Sequence, residues 1–335
     1  MPASASTHPT LVDLVKRQDP DGKIATIAEI LNETNPVLDD MVWMEGNLTT
    51  GHKTTVRTGI PAPTWRKMYG GVQPTKSTTA QVTDNCGMLE AYAEVDKALA
   101  DLNGNTNAFR LSEDAAHIEG MNQEMSETLF FGNESSEPEA FTGLSPRFNA
   151  LTGANNSDNV IDGGSASGQT DNRSIWLVIW GPNTAHGIVP KGSVGGLQMN
   201  DKGQVTIEDV DGSGGRMEAY RTHYRWDAGL TVRDWRYIVR IANIDYSTLT
   251  VDAASGANLP DLMFEALERI NNISLGRASW YMERGVLTKL RQQHTNGVAN
   301  STLTMDNLGG TMVTSFHGVP IARTDALAVD ETRLT

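Results

Sequence analysis

Apolar positions along the chain change their spacing several times, and each change predicts an element. Thr10–Arg17 and Lys23–Leu31 carry short helical patterns, with Ile24, Ile27 and Ile30 or Leu31 on one side, broken by Asp19-Pro20-Asp21-Gly22 and closed by Asn35-Pro36. Helices this short cannot enclose a core, so they are expected to lie against something else. From Gly46 to Ala80, Thr, Gly, Pro and Val dominate, and two strand-like runs flank Pro61-Ala62-Pro63-Thr64-Trp65. That pattern predicts a long two-stranded hairpin, marginal by itself in water. Met88, Tyr92, Val95, Leu99 and Leu102 then recur at steps of three and four, predicting a helix capped by Asp84 or Asn85 and stopped at Asn103-Gly104. A longer helix of about twenty residues is expected next. Ser112 caps it, Ala115, Ile118, Met121, Met125 and Leu129 form its apolar line, and Phe130-Phe131-Gly132 ends it.

The turn-rich stretch Phe141–Asp171 reads as a linker or surface loop. Ile175–Trp180 reads as a buried strand. Strand character returns from Tyr220 through Arg240 to Asp245, where Trp235, Tyr237, Val239 and Ile241 alternate with Arg236 and Arg240. Helices are expected over Leu262–Ile270 and Ser279–Gln293, and a last strand over Gly318–Arg323. Helices and strands mix without a regular βαβ alternation, and no repeat is visible, so the expected class is α+β.

Composition narrows the function. The 335 residues include 39% hydrophobic ones, enough for a substantial core, and carry Lys+Arg 27 against Asp+Glu 41, a net charge of −14. A field of that sign repels phosphate and argues against a chain whose main work is gripping DNA or an anionic membrane. The single cysteine, Cys86, cannot form an internal disulfide and fits a reducing compartment. The N-terminus lacks the basic-then-apolar pattern of a secretory signal, and no apolar run approaches a membrane span, so a soluble protein made in a cytoplasm is expected.

Enzyme signatures are missing. The chain has no GxxxxGK[ST], GxGxxG, HExxH, CxxC or GxSxG pattern. Asp209-Val210-Asp211-Gly212 begins like a calcium loop but lacks the third carboxylate and the closing Glu, so it reads as a surface turn. The seven histidines show no ligand spacing and are expected to be surface or satisfied polar residues. Cys86, at the start of the expected amphipathic helix, reads as buried rather than nucleophilic. No catalytic residue, cofactor or metal is expected.

Charge segregation is the informative feature. Gly46–Ala80 holds Lys53, Arg57, Arg66, Lys67 and Lys76 and no acidic residue. Leu111–Ala140 holds Glu113, Asp114, Glu119, Glu124, Glu127, Glu134, Glu137 and Glu139 and no Lys or Arg. A basic hairpin that cannot bury itself and an acidic helix suggest docking, on the chain's own helix or on a neighbour's; Glu113, Asp114, Glu119, Glu124 and Glu127 are the helix-side candidates. Each exposed pair contributes only about 0.2 to 1 kcal/mol, so five give orientation and salt sensitivity rather than a tight bond.

The order of these parts resembles the major capsid proteins of tailed phages with the Hong Kong 97 fold. More narrowly, His186-Gly187 followed by Pro190-Lys191-Gly192-Ser193, Trp226-Asp227-Ala228-Gly229-Leu230 through Tyr237, and Gly318-Val319-Pro320-Ile321-Ala322-Arg323 through Leu327 resemble segments of short-tailed, epsilon-type phage capsids. The resemblance implies an N-terminal arm over residues 1–45, an E-loop over 46–80, and a peripheral P-domain with its spine helix over 81–150. It implies an axial A-domain over 151–300, with 220–245 a candidate to return to the P-domain sheet, and a C-terminal return strand within 301–335. It further implies self-assembly as pentamers and hexamers into an icosahedral virion shell enclosing double-stranded DNA without specific binding. A separate scaffolding protein, a portal and a decoration or cementing protein are the other expected partners; a membrane is not. Some relatives join an E-loop Lys to an Asn of another subunit, but no catalytic carboxylate is evident here and no crosslink is expected. The competing expectation is another virion component, such as a decoration or tail protein.

Overall fold

The computed structural model describes residues 33–335 except 105, 209–213, 251–254, 298–302 and 309–310, together with Pro9 and Asp13. The helices expected at 10–17 and 23–31, and the turn at 209–212, lie outside the described residues. Helices are α1 (Val37–Asp40), α2 (Lys97–Ala100), α3 (Thr106–Phe131), α4 (Leu259–Glu268) and α5 (Arg284–Gly297). Strands are β1 (Trp43–Glu45), β2 (Gly51–Gly59), β3 (Thr78–Asp96), β4 (Val160–Asp162), β5 (Asn172–Trp180), β6 (Ala185–Val189), β7 (Gln198–Glu208), β8 (Arg216–Val232), β9 (Ile238–Asp245), β10 (Arg277–Met282), β11 (Leu303–Leu308), β12 (Thr311–Phe316) and β13 (Val319–Arg323).

The centre is β5, held antiparallel between β9 and β10. Its run Ile175–Trp180 is buried on both sides, as the unbroken apolar sequence requires. Ile175, Leu177 and Ile179 face α4 and α5 with Met263, Val286 and Leu290. Trp176, Val178 and Trp180 face the other way, onto Met125, Leu129 and Phe130 of α3 and onto Phe141, Leu144 and Phe148. Strand alternation thus divides the molecule into two cores sharing one wall. A second antiparallel system leaves this centre through β6: β8 pairs with β6, then lies between β7 and β3, and β3 runs on to pair with β2.

Several elements differ from the sequence reading. Residues 88–96 are the second half of β3, not a helix. The period that folds is the alternation of Leu89, Ala91, Ala93 and Val95 toward α3, while Met88 and Tyr92 stay exposed; steps of three and four matched residues from both faces of one strand. Only Lys97–Ala100 is helical there, capped by the Asp96 carboxylate on the Ala98 and Leu99 amides. Helix α3 starts six residues before Ser112, whose hydroxyl donates back to the Phe109 carbonyl (2.8 Å) instead of capping. The stretch 141–171 is not a surface loop, because Phe141, Leu144, Phe148, Val160 and Ile161 all enter the cores. Residues 220–245 form two strands broken by a turn at Trp235–Tyr237. Ser279 begins no helix: Arg277–Met282 is β10, whose Trp280 and Met282 are core, and α5 starts only at Arg284. Strands β1, β4, β6, β7, β11 and β12 are additional to those expected from sequence.

Candidate subunit-contact surface

The hairpin of β2 and β3 is anchored at its root and free at its tip. At the root, the Asn47 amide spans the backbone of Lys53, accepting from its N–H (2.7 Å) and donating to its C=O (2.8 Å). Gly46 N–H donates to Val189 O (2.8 Å) and Cys86 N–H to Thr50 O (2.9 Å). Backbones approach so closely that a Cβ on Gly51 would lie 2.1 Å from Asp84 O, and one on Gly187 would meet the Trp43 ring at 2.6 Å. The segment Pro190-Lys191-Gly192-Ser193 is a tight turn in this anchor: Gly192 N–H donates to Glu45 (3.0 Å) and Ser193 Oγ to Asp227 (2.6 Å). Burial raises the Asp227 pKa, but hydrogen bonds from Arg225 and Ser193 outweigh it and leave the carboxyl below its ordinary value.

Beyond the root, β2 pairs, among the described residues, only with β3. Lys53, Arg57, Arg66, Lys67 and Lys76 are all exposed, and among the described residues none of them is in an ion pair. The tip also carries apolar side chains: Trp65 and Tyr69 are fully exposed, and Ile60 and Met68 are 86% exposed. Tyr69 holds a left-handed backbone (φ 60°) in a turn closed by Gly70 N–H on Lys67 O (3.0 Å).

The acidic residues of α3 divide by location. Glu119 accepts from the Glu33 amide (2.9 Å) and Gln123 (3.0 Å). Asp114 faces the buried Tyr224 hydroxyl, whose pKa is pushed up by burial and then by that carboxylate. Glu113 is half-buried and engaged, whereas Glu124 and Glu127 are exposed. Burial raises the Glu127 pKa, and Glu124, Glu33 and Glu137 push it further up. Between β3 and α3 runs a cleft of two contiguous cavities, about 240 and 290 Å³, sharing Leu89 and Glu124. Leu89, Met125 and Phe141 floor the first, and Glu124, Glu137 and Glu139 form its rim. The sequence marked the carboxylates but not this cleft, whose walls come from three separate stretches.

Two expectations about single residues need correction. Histidines far apart in sequence meet at the hairpin root: His52 and His186 rings lie 5.8 Å apart, and Arg233 Nη2 is 3.1 Å from His52 Nε2. His186 is neither a surface nor a satisfied residue; it is fully buried, and among the described residues neither ring nitrogen has a hydrogen-bond partner. Burial first, then Arg233 and His52, lowers its pKa to about 4. Cys86 is half-buried on a strand, not at a helix start, and burial, Asp227 and Asp84 push its thiol up to about 12, out of the nucleophilic range. Among the described residues no cluster of three or more His, Cys, Asp or Glu is placed to hold a metal, and no helix is long and apolar enough to cross a membrane.

A sequence profile of the family "Major capsid protein GP7" matches residues 19–335. The chain belongs to that family. This major capsid protein is 38% identical to a chain in the cryo-EM structure of bacteriophage Epsilon15, with a TM-score of 0.80 over 100% of this chain and 99% of that one. A chain of the bacteriophage JBD30 capsid is 10% identical, with a TM-score of 0.49 over 89% of this chain and 93% of that one, too shallow a likeness to add anything. No curated protein sequence matches the chain. The fold is therefore the α+β, Hong Kong 97-like fold of phage capsids, and the protein is a structural subunit of an icosahedral virion shell of the epsilon type; a decoration or tail role is not favoured.

Proposed function

We propose that this major capsid protein closes its shell by laying the basic hairpin of one subunit across the acidic helix α3 of the next, within and between pentamers and hexamers that enclose double-stranded DNA. One observation carries this reading. Strand β3 lines the cleft at Gly87–Leu89 and then runs on without a break to Thr78, carrying the hairpin tip about 30 Å from the chain's own cleft. An extended strand cannot turn back on itself, so the complementary partner of Arg66, Lys67 and Lys76 is supplied by another copy. Residues 46–80 then serve as the E-loop, 81–150 as the P-domain around α3, and 151–300 as most of the A-domain. Within that last stretch, β8 returns to pair with β3, while residues 1–45 and 301–335 supply arm and return strand.

The energetics suit assembly. Exposed ion pairs at about 0.2 to 1 kcal/mol each are reversible one at a time, which lets misplaced subunits leave, and they add up across a lattice. A net charge of −14 keeps the inner wall from holding DNA by its phosphates. A scaffolding protein, a portal and a decoration or cementing protein complete the proposed partners, with assembly in the host cytoplasm.

The test reverses three charges. The triple variant R66E/K67E/K76E is expected to give a folded subunit, because all three side chains are exposed, that forms no shells by electron microscopy. Normal particles from that variant would overturn the docking arrangement.

A further inference from the structure

The geometry points to an aromatic anchor at this contact: Trp65 and Tyr69 of one subunit seat in the cleft between β3 and α3 of a second copy, with Arg66 and Lys67 meeting Glu124 and Glu137 on its rim. The inference rests on the docking arrangement proposed above and names the seat.

Charge alone does not explain the tip. Its sequence, Trp65-Arg66-Lys67-Met68-Tyr69-Gly70, interleaves three large apolar side chains with two cations. A loop that only had to present charge would hide or omit Trp, Met and Tyr, since exposed apolar patches draw unwanted association. The backbone also holds Tyr69 in a left-handed turn that a bulky residue adopts only at a cost, and the result is a fully exposed ring. Ion pairs without desolvation are weak; an aromatic side chain buried at their centre is what usually carries affinity at an interface.

The cleft has matching chemistry. Its floor is apolar and built from Leu89, Met125 and Phe141, with the methionine able to adjust to an incoming ring. The first cavity, about 240 Å³, is smaller than the range of about 300 to 1,000 Å³ common for small-molecule sites, and it suits one inserted side chain with the neighbouring cavity taking a second. Near the rim, Glu127 is held by partial burial, and then by the charges of Glu124, Glu33 and Glu137, so that it keeps its proton more tightly than an ordinary glutamate. Two cations brought in by the tip would relieve that repulsion. The chain's own tip cannot reach, for the reason given by the length of β3, so the occupant is a second copy.

The test uses shells purified from cells producing the full chain. In a C86S background, the pair W65C/T128C, with Thr128 lining the first cavity from α3, is expected to yield a ladder of disulfide-linked subunits on mild oxidation, whereas W65C alone, T128C alone and W65C/L275C are not. Normal shells in which W65C/T128C gives no ladder would overturn the anchor, whether the cleft were filled by residues 1–32 or by another protein. Independently, W65A/Y69A is expected to fold with an unchanged melting temperature and to raise the subunit concentration needed for shells by at least about tenfold. That deficit should persist in about 1 M salt, where screening lengths fall to about 3 Å and charge pairing fades. Unchanged assembly of W65A/Y69A alongside failure of R66E/K67E/K76E would remove the anchor and keep the docking; normal assembly of both would remove both.

Discussion

Trp176 and Trp65 are the same residue in opposite circumstances. Trp176 sits on the central strand between Phe130 and Phe148, with ring centroids 6.3 and 6.0 Å away and the Arg240 guanidinium 5.0 Å over its face. Trp65 touches solvent on every side at the end of a hairpin. The central sheet is satisfied within one chain, and its apolar residues stabilise the subunit. The hairpin is anchored by backbone hydrogen bonds at one end, and its apolar residues are left for a neighbour. A capsid protein needs both, because the subunit must fold before it assembles and must still have something to gain from assembling.

The strongest way to break this contrast is to truncate each tryptophan. Trp176→Ala is expected to cost the isolated subunit about 3 to 5 kcal/mol by chemical denaturation, whereas Trp65→Ala should leave it within about 0.5 kcal/mol of the parent. A comparable loss at both positions would mean that the tip is already buried in the free subunit.

Next in size is the acid response of the hairpin root. His186 has a folded-state pKa lowered from 6.5 to about 4, so its contribution is complete above pH 6.5 and is lost as pH falls toward 4. The loss amounts to at most about 3 kcal/mol, because charging a buried imidazole beside Arg233 is unfavourable. Denaturation measured between pH 7 and 4 should show this decline, and His186→Phe should flatten it; an identical pH profile in that variant would place the acid-sensitive group elsewhere. Asp84, paired with Arg147 at 2.8 Å, faces His52 and partly offsets the lowering of its pKa.

The smallest effect is the sharpest for the contrast. Glu127 ionises against its neighbours, so in the free subunit its charge is slightly destabilising above its raised pKa. Glu127→Gln should therefore stabilise the subunit by no more than about 0.5 kcal/mol, given its exposure, while weakening shell formation. Gains in both, or losses in both, would show that Glu127 has no part in the contact.

How far the chain could be read without coordinates depended on how local the signal was. Ile175–Trp180 is six apolar residues in a row, a pattern that only burial on both faces accommodates, and it was legible at once. The hairpin was legible from turn residues and charge. The second half of β3 was not, because Met88, Tyr92 and Val95 fit a helical step as well as Leu89, Ala91, Ala93 and Val95 fit alternation. The choice falls to β8, whose long antiparallel ladder from Cys86↔Gly229 to Asp96↔Ala219 can only be met by a strand. Ser279 went wrong for the same reason: β5 and β13 on either side of β10 demand extended chain.

The sequence by itself determined the charge segregation, the two-faced central strand, the α+β class and the segments that resemble epsilon-type capsids, since each is a property of neighbouring residues. Only the tertiary structure decided that β3 is one unbroken rod, that His52 and His186 meet, and that Leu89, Met125 and Phe141 line one cleft with carboxylates on its rim. Those facts depend on pairings between residues tens to hundreds of positions apart. Such pairings form wherever the whole chain buries most apolar surface with its backbone hydrogen-bonded, and no local window of sequence contains that balance.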